Sequence, residues 1–365
     1  MASNLLVPVV RVENVRAHGN ADALELCDVL GYQMAVPKGK YKTGDLGVYF
    51  PADTLLPAGW AEQFGVRSFL RGKEQDRVGK IRLRGEPSFG LIASIPEGVS
   101  WAVGDNVAEY FGCKKYEPPI RANAGDAAPR NEKMDPFLER YTDIQNGRIY
   151  TEVFFAGEEV VATEKIHGTN VRLGIVRDMD IFAASMSVRR KRPEKRDVTG
   201  CPAEFDDSEM AANTYWFPWT LDSVRDLINS FCVGANKVIV LYGEVFGGSI
   251  QSLDYGIPKG KGFGFRAFDI SLDGKYLDWT EFERHCRQCG VPIVPVLYCG
   301  PYSFGKMKEL ADGNTMLEGA SHIREGIVVK PIRERVDPKV GRAVVKIIGT
   351  EYDLSKHKEK DTTDI

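Results

Sequence analysis

Hydrophobic and polar positions divide residues 158–176 into two apolar runs around a polar interval. Val160-Val161-Ala162-Thr163 is continuous enough for a buried strand, and Val171, Leu173 and Ile175 alternate with Arg172, Gly174 and Val176 as a second. The interval Glu164-Lys165-Ile166-His167-Gly168-Thr169-Asn170 is therefore a strand-loop-strand corner with a lysine at the strand end. Further on, Lys237–Gly247 reads as a continuous buried strand with Glu244 near its end, and Gly262–Ile270 as another. Alternation predicts that Phe263, Phe265, Ala267 and Asp269 share one face of that strand and Arg266, Phe268 and Ile270 the other. Helical spacing marks Leu221–Phe231, Trp279 to about Gly290, and Ser303–Ala311. Residues 324–331 and 342–352 read as the last two strands, with Gly326 as the bend needed if Glu325 and Lys330 are to serve one ligand.

The first third has a different texture. Short strands around Pro8–Val15, Leu24–Leu30, Gln33–Pro37, Gly47–Phe50 and Ile81–Leu83 are separated by turn chemistry such as Gly19-Asn20-Ala21-Asp22, which predicts a small closed β-barrel. The expected division is a β module at 1–117, a linker at 118–150 where periodicity fades, a mixed domain at 151–355 and a charged tail at 356–365. The fold class is α+β: a small β-barrel followed by antiparallel sheets with flanking helices.

Composition narrows the class without choosing a chemistry. A chain of 365 residues with 43% hydrophobic content is long enough for two domains. No apolar run reaches the length of a membrane span, and the start lacks signal-peptide features, so a cytoplasmic protein is expected. Seven cysteines without regular spacing fit a reducing compartment. The pair Cys286 and Cys289 has no second pair to complete a zinc site and reads as one helix face. With a net charge of -3, any nucleic-acid contact must come from local patches. Lys38, Lys40, Tyr41 and Lys42 interleave charge with an aromatic, as phosphate contact and base stacking require, although solvated turn lysines would look the same. Arg67, Arg71, Lys73, Arg77, Lys80, Arg82 and Arg84 form a second candidate track.

Candidate chemistry centres on Lys165. A partly desolvated amine near other cations is lowered towards a pKa at which it attacks as a nucleophile. Gly168 admits a close backbone approach, and His167, Thr169 and Asn170 add hydrogen-bonding groups. The bland alternative is a surface lysine in a polar hairpin. Ser187–Asp197 carries six bases and two acids, a local charge of +4 suited to phosphate. The aromatic run Thr214–Thr220 reads as core, and Glu244, ending a buried strand, requires a partner.

Lys165-Ile-His-Gly-Thr-Asn resembles motif I of the covalent nucleotidyltransferases, in the form found in ATP-dependent RNA ligases of the nick-sealing branch. His18–Leu26 and Pro37–Phe50 resemble the OB-like module that precedes the catalytic domain in the Deinococcus-type members. The resemblance implies a nucleotidyltransferase (adenylyltransferase) domain. It implies nucleotide contacts from Glu164, His167, Gly168, Asn170, Arg190 (motif Ia, with Arg189 adjacent), Glu244 (motif III), Phe268 (motif IIIa, stacking on the base), Lys330 (motif IV) and Lys346 (motif V). Lys165, Lys330 and Lys346 would be catalytic, and Glu325 and Glu244 would hold Mg²⁺ or Mn²⁺. Motif V departs from the usual Lys-x-Lys, with Val344 and Ile348 at the flanking positions, so a second cation has to come from elsewhere, Arg342 being the candidate. Lys38, Lys40, Arg82 and Arg84 would contact nucleic acid.

The order of Lys165, Arg190, Glu244, Phe268, Glu325, Lys330 and Lys346 is what makes the resemblance specific. It implies a lysyl-AMP intermediate formed from ATP, and sealing of a 3′-OH/5′-phosphate nick in a duplex with RNA at least on the 3′-OH side, by a monomer. The alternatives are a DNA ligase or GTP-using capping enzyme, which place an OB fold after motif V, and a non-catalytic binding protein, which has no reason to keep the whole set.

Overall fold

The computed structural model describes residues 5–116, 131–132, 141–176, 180–186, 188–193, 207–232 and 237–356. These residues divide between two compact units, 1–122 with 354–365, and 123–353. Most of the expected linker and charged tail lies outside the described residues, as do Ser187 and the end of the basic run at 194–197.

The first unit is built from short antiparallel strands. Val9–Arg11, Leu46–Phe50 and Leu91–Ser94 form one sheet, Glu13–Ala17, Leu24–Val29 and Tyr32–Pro37 a second, and Lys80–Leu83 pairs with Glu86–Phe89 in a hairpin. The hairpin turns at Arg84 and Gly85, both left-handed. Among the described residues these ladders are traced as separate short sheets that share apolar cores, one of them gathering Val10, Val12, Cys27, Met34, Tyr41, Tyr49 and Ile92. Tyr41 is thus core, its phenol pushed by burial up to about 12, and the expected stacking role for it is corrected. Two members of the second basic stretch have partners within the unit. Arg71 donates to the Lys80 carbonyl at 2.7 Å, and Arg77 lies 4.2 Å over the Tyr116 ring.

The second unit holds two sheets. The larger runs in the order 131–132, 189–190, 180–184, 169–176, 238–246, 264–272 and 275–276; the smaller in the order 145–146, 345–348, 326–331, 159–164 and 296–301. On one face of the larger sheet, Val171, Leu173, Ile239, Leu241, Phe265 and Ala267 pack under the helices Asp222–Cys232 and Trp279–Cys289. The first helix contributes Val224, Leu227, Ile228 and Phe231, a stripe whose burial is worth about 1.5–3 kcal/mol per side chain. Trp216 and Trp219 join the same core, as the aromatic run predicted. Beneath the smaller sheet, Val160, Ala162, Ile327, Val329, Val345 and Ile347 pack with Met307 and Ala311 of the helix Phe304–Ala311.

Strict alternation fails at one point in the 264–272 strand. Ala267 pairs with Gly243 and Asp269 with Tyr242, which leaves Phe268 as an extra residue in a β-bulge. Beyond it the faces exchange: Ile270 joins Phe265 and Ala267 in the core, while Asp269 turns to the opposite face, correcting the predicted grouping.

Candidate active site

Lys165 follows the last residue of the Glu159–Glu164 strand, and its N–H still bonds Gly326 O at 2.9 Å, so the corner is tied to the start of the 326–331 strand. Gly326 has a φ of 153°, and a Cβ there would lie 2.2 Å from Ile347 O. The expected bend is present, and only glycine fits it. Glu325 is thereby aimed at the corner. Its Oε2 lies 3.0 Å from Lys165 Nζ and 3.2 Å from His167 Nδ1. Burial would raise the Glu325 carboxyl, but His167 and Lys165 outweigh it and hold the group below its ordinary value.

The larger sheet supplies the facing groups. Asn170 pairs with Glu244 in register, and the Gly168 N–H donates to Glu244 Oε1 at 3.1 Å. A side chain at 168 would meet Val245 O at 2.3 Å, so glycine is what allows this approach. Burial pushes the Glu244 carboxyl up to about 8, against the pull of Lys165 and with help from Glu325. Asn170 Oδ1 is buried with no hydrogen-bond partner among the described residues, a polar atom that a ligand donor would satisfy. The same sheet face carries Arg172, fully buried and donating to Ser185 O at 2.9 Å, and Phe268, edge-on to Tyr141 at 5.3 Å. Phe268 also touches the small core around Ile166, so the corner and this ring share one apolar wall.

Register decides which arginine joins this face. Arg189 pairs with Ala184, which pairs with Arg172. Arg189 therefore lies on the face of Glu244 and Asn170. Arg190 is on the opposite face, its guanidinium 4.3 Å over the Tyr215 ring and donating to Tyr215 Oη at 3.1 Å. The face of Glu244 therefore carries Arg189 rather than the expected Arg190; the basic run offers no periodic signal to separate two adjacent arginines.

Lys346 lies on the strand Val345–Ile348, paired with Val328, which pairs in turn with Thr163. It shares the Thr163 face of the smaller sheet, away from the core that takes Val345 and Ile347. Lys330 is placed differently from expectation. Its side chain is 6% exposed, and its ammonium donates to Phe268 O at 2.9 Å, pairs with Asp269 and sits 4.9 Å from the centre of the Trp279 ring. It does not join the Lys165–Glu325 cluster. Asp269 also accepts from Tyr141 at 2.6 Å and from Arg342 at 2.8 and 3.0 Å. Burial works against the charge on Asp269, yet Arg342 and Lys330 hold its carboxyl down to about 2. Arg342 is further bonded to Glu334 and lies 3.7 Å from the centre of the Tyr276 ring, so it cannot serve as the missing motif V cation.

Glu164 turns its carboxylate to Thr315 and Met316, so any ligand contact from it would come from the backbone. The sequence reading missed Arg148, 1% exposed beside Ile348 O and Thr350, and Tyr255, whose hydroxyl accepts the His167 N–H at 2.6 Å. Neither lies in a patterned stretch. In the first unit Lys38 and Lys40 are exposed, and Arg82 is drawn to Gly85 O at 2.8 Å beside the half-buried Arg84. Among the described residues no three His, Cys, Asp or Glu side chains gather into a metal cage.

An amine held by one carboxylate and faced by a second, on a two-sheet framework with cations on both sheets, is an arrangement that can support group transfer on a phosphorylated ligand. The chain belongs to the RNA ligase family, whose model matches residues 158–348; a separate OB-fold domain model matches residues 6–95. It is similar to the solved structure of Naegleria gruberi RNA ligase with PPi, at 25% identity over 98% of this chain and 100% of that one, with a TM-score of 0.67. A point mutant of that ligase with AMP and Mn is similar at 25% identity, over 97% of this chain and 99% of that one, with a TM-score of 0.68. No curated protein matches the chain.

Proposed function

We propose that this chain is an ATP-dependent RNA ligase that seals 3′-OH/5′-phosphate nicks through a lysyl-AMP intermediate. The observation that carries the reading is the Lys165 amine 3.0 Å from Glu325, beside His167 and opposite Glu244. AMP and pyrophosphate are the two halves of ATP, and the Naegleria ligase has been solved with each, which supports ATP as the donor here.

In the first step the Lys165 amine, having given up a proton to solvent, bonds to the α-phosphorus, the bond to pyrophosphate breaks, and the nitrogen releases a second proton to solvent. Lys346 and Arg189 offset charge on the phosphate oxygens, and Phe268 stacks on the base. In the second step an oxygen of the nick's 5′-phosphate attacks the AMP phosphorus, the bond to Lys165 breaks, and the amine returns to its ammonium form with two protons from solvent. In the third the 3′-hydroxyl attacks the 5′-phosphate, expelling AMP and closing the phosphodiester. Glu325 holds the amine in place before the first step. Lys330 acts at one remove, holding the Phe268 carbonyl rather than a phosphate.

Glu325 and Glu244 are the residues that would hold a divalent ion. Two carboxylates suit Mg²⁺ or Mn²⁺, which keep waters and take phosphate oxygens rather than an all-protein cage. The protonated state that burial favours for Glu244 also fits a group awaiting a cation. Bound there, the ion would lower the charge barrier at the α-phosphate. The substrate is a nicked duplex with RNA at least on the 3′-OH side, engaged by the first unit through Lys38, Lys40, Arg82 and Arg84. No helix among the described residues is long and apolar enough to cross a membrane. A cytoplasmic monomer acting in RNA repair completes the reading.

The test is incubation with Mg²⁺ and α-³²P-labelled ATP or GTP, followed by denaturing electrophoresis, with Lys165→Ala beside the wild type. Label from ATP that survives denaturation and is absent in the variant is expected. Label from GTP alone would move the reading to capping-type chemistry. No label with either, in folded protein free of pre-bound AMP, would sink it.

A further inference from the structure

The Glu325 ion pair cannot be what keeps Lys165 at its corner during attack, because the amine must leave it to reach phosphorus. The residues on either side of Lys165 are each held by a separate loop. On one side Glu164, 1% exposed, accepts from the Thr315 hydroxyl at 2.5 Å and the Met316 N–H at 2.7 Å. On the other, the His167 N–H donates to the Tyr255 hydroxyl at 2.6 Å. Tyr255 is itself fixed: it is 2% exposed, has a left-handed φ of 51°, and is wedged edge-on between Phe246 at 5.1 Å and His322 at 4.5 Å. The loops that carry Tyr255 and Thr315 lean on each other. A Cβ on Gly256 would stand 2.5 Å from Gly319 O, and Leu317, Tyr255 and Ile166 share one small core.

We propose that Tyr255 and Thr315 are positioning residues that together clamp the backbone on both sides of Lys165, so that its amine stays aimed when the Glu325 contact is released. This rests on the ligase reading. Neither side chain touches a reacting atom; each acts through Glu164 or His167. A residue that only packs its loop would slow every step alike, whereas the clamp matters most where Lys165 is the nucleophile.

The experiment uses the full chain and the variants Tyr255→Phe, Thr315→Val and Thr315→Ser. Two rates are read: single-turnover label transfer from saturating ATP to the protein, and sealing of a nick whose 5′ end already carries AMP. Loss of one aimed hydrogen bond predicts a fall of about tenfold in the first rate and less than about twofold in the second. Thr315→Ser, which keeps the hydroxyl, stays within about threefold of wild type in both. Equal falls in the two rates, or an undiminished first rate, overturn the clamp. If Tyr255→Phe fails to fold, the Thr315 pair decides alone. A wild type that takes no label from ATP while sealing nothing would overturn the ligase reading instead.

Discussion

Lys165 and Lys330 each meet a carboxylate, but the two pairs are built to opposite ends. Lys165 is 25% exposed, and its partner Glu325 is shared with His167 on an open corner. Lys330 is 6% exposed, and its partner Asp269 already receives Arg342 and Tyr141, with Glu334 completing the set. A pair that is partly wet and under-subscribed can be exchanged for a ligand. One that is dry and saturated can only be broken, at the cost of a buried unpaired charge. Position in a motif does not separate the two lysines; their surroundings do.

The largest effect that would break this contrast comes from exchanging roles. Lys165→Ala is expected to cut label transfer by about 10³-fold or more with little change in Tm. Asp269→Ala strands Lys330 and Arg342 in the interior and is expected to cost about 3–5 kcal/mol, a fall in Tm on the order of 10 °C by calorimetry. If the first variant melts early and the second melts like wild type, the assignment is inverted.

A smaller effect concerns pH. The folded pKa of Glu244, about 8, lies above its ordinary 4.5, so the native state binds more protons than the unfolded chain between those values. Stability without added metal therefore falls as pH rises across that window, by about 2 kcal/mol from this group once partial solvation is allowed for. Glu244→Gln should flatten the difference, and Mg²⁺ should restore the wild type at pH 9 but not the variant. Melting curves at pH 5, 7 and 9 decide it; a variant with the wild-type slope would remove Glu244 as its source.

The smallest effect separates adjacent arginines. Arg189→Ala should slow label transfer by about tenfold, as loss of one phosphate contact does. Arg190→Ala should instead cost about 0.5–1 kcal/mol of stability through Tyr215 and leave the rate near wild type. The reverse outcome would restore Arg190 to the site.

Sequence by itself determined the strand-loop-strand corner at Lys165, the strands bearing Glu244 and Lys346, the strand that Glu325 precedes, and the helices on their apolar faces. These depend on local periodicity, and an amphipathic stripe or a buried run selects its element before any long-range contact forms. The need for glycine at 326 was legible for the same reason. Only the tertiary structure decided which face a side chain takes after a bulge, as at Phe268 and Asp269, because one extra residue inverts every position beyond it. It also decided which arginine faces Glu244, and that Lys330 and Arg342 are spent on Asp269. Partners 61 to 73 residues apart in the chain leave no periodic trace. Such ion pairs are chosen by burial and geometry, and neither exists until the two sheets have met.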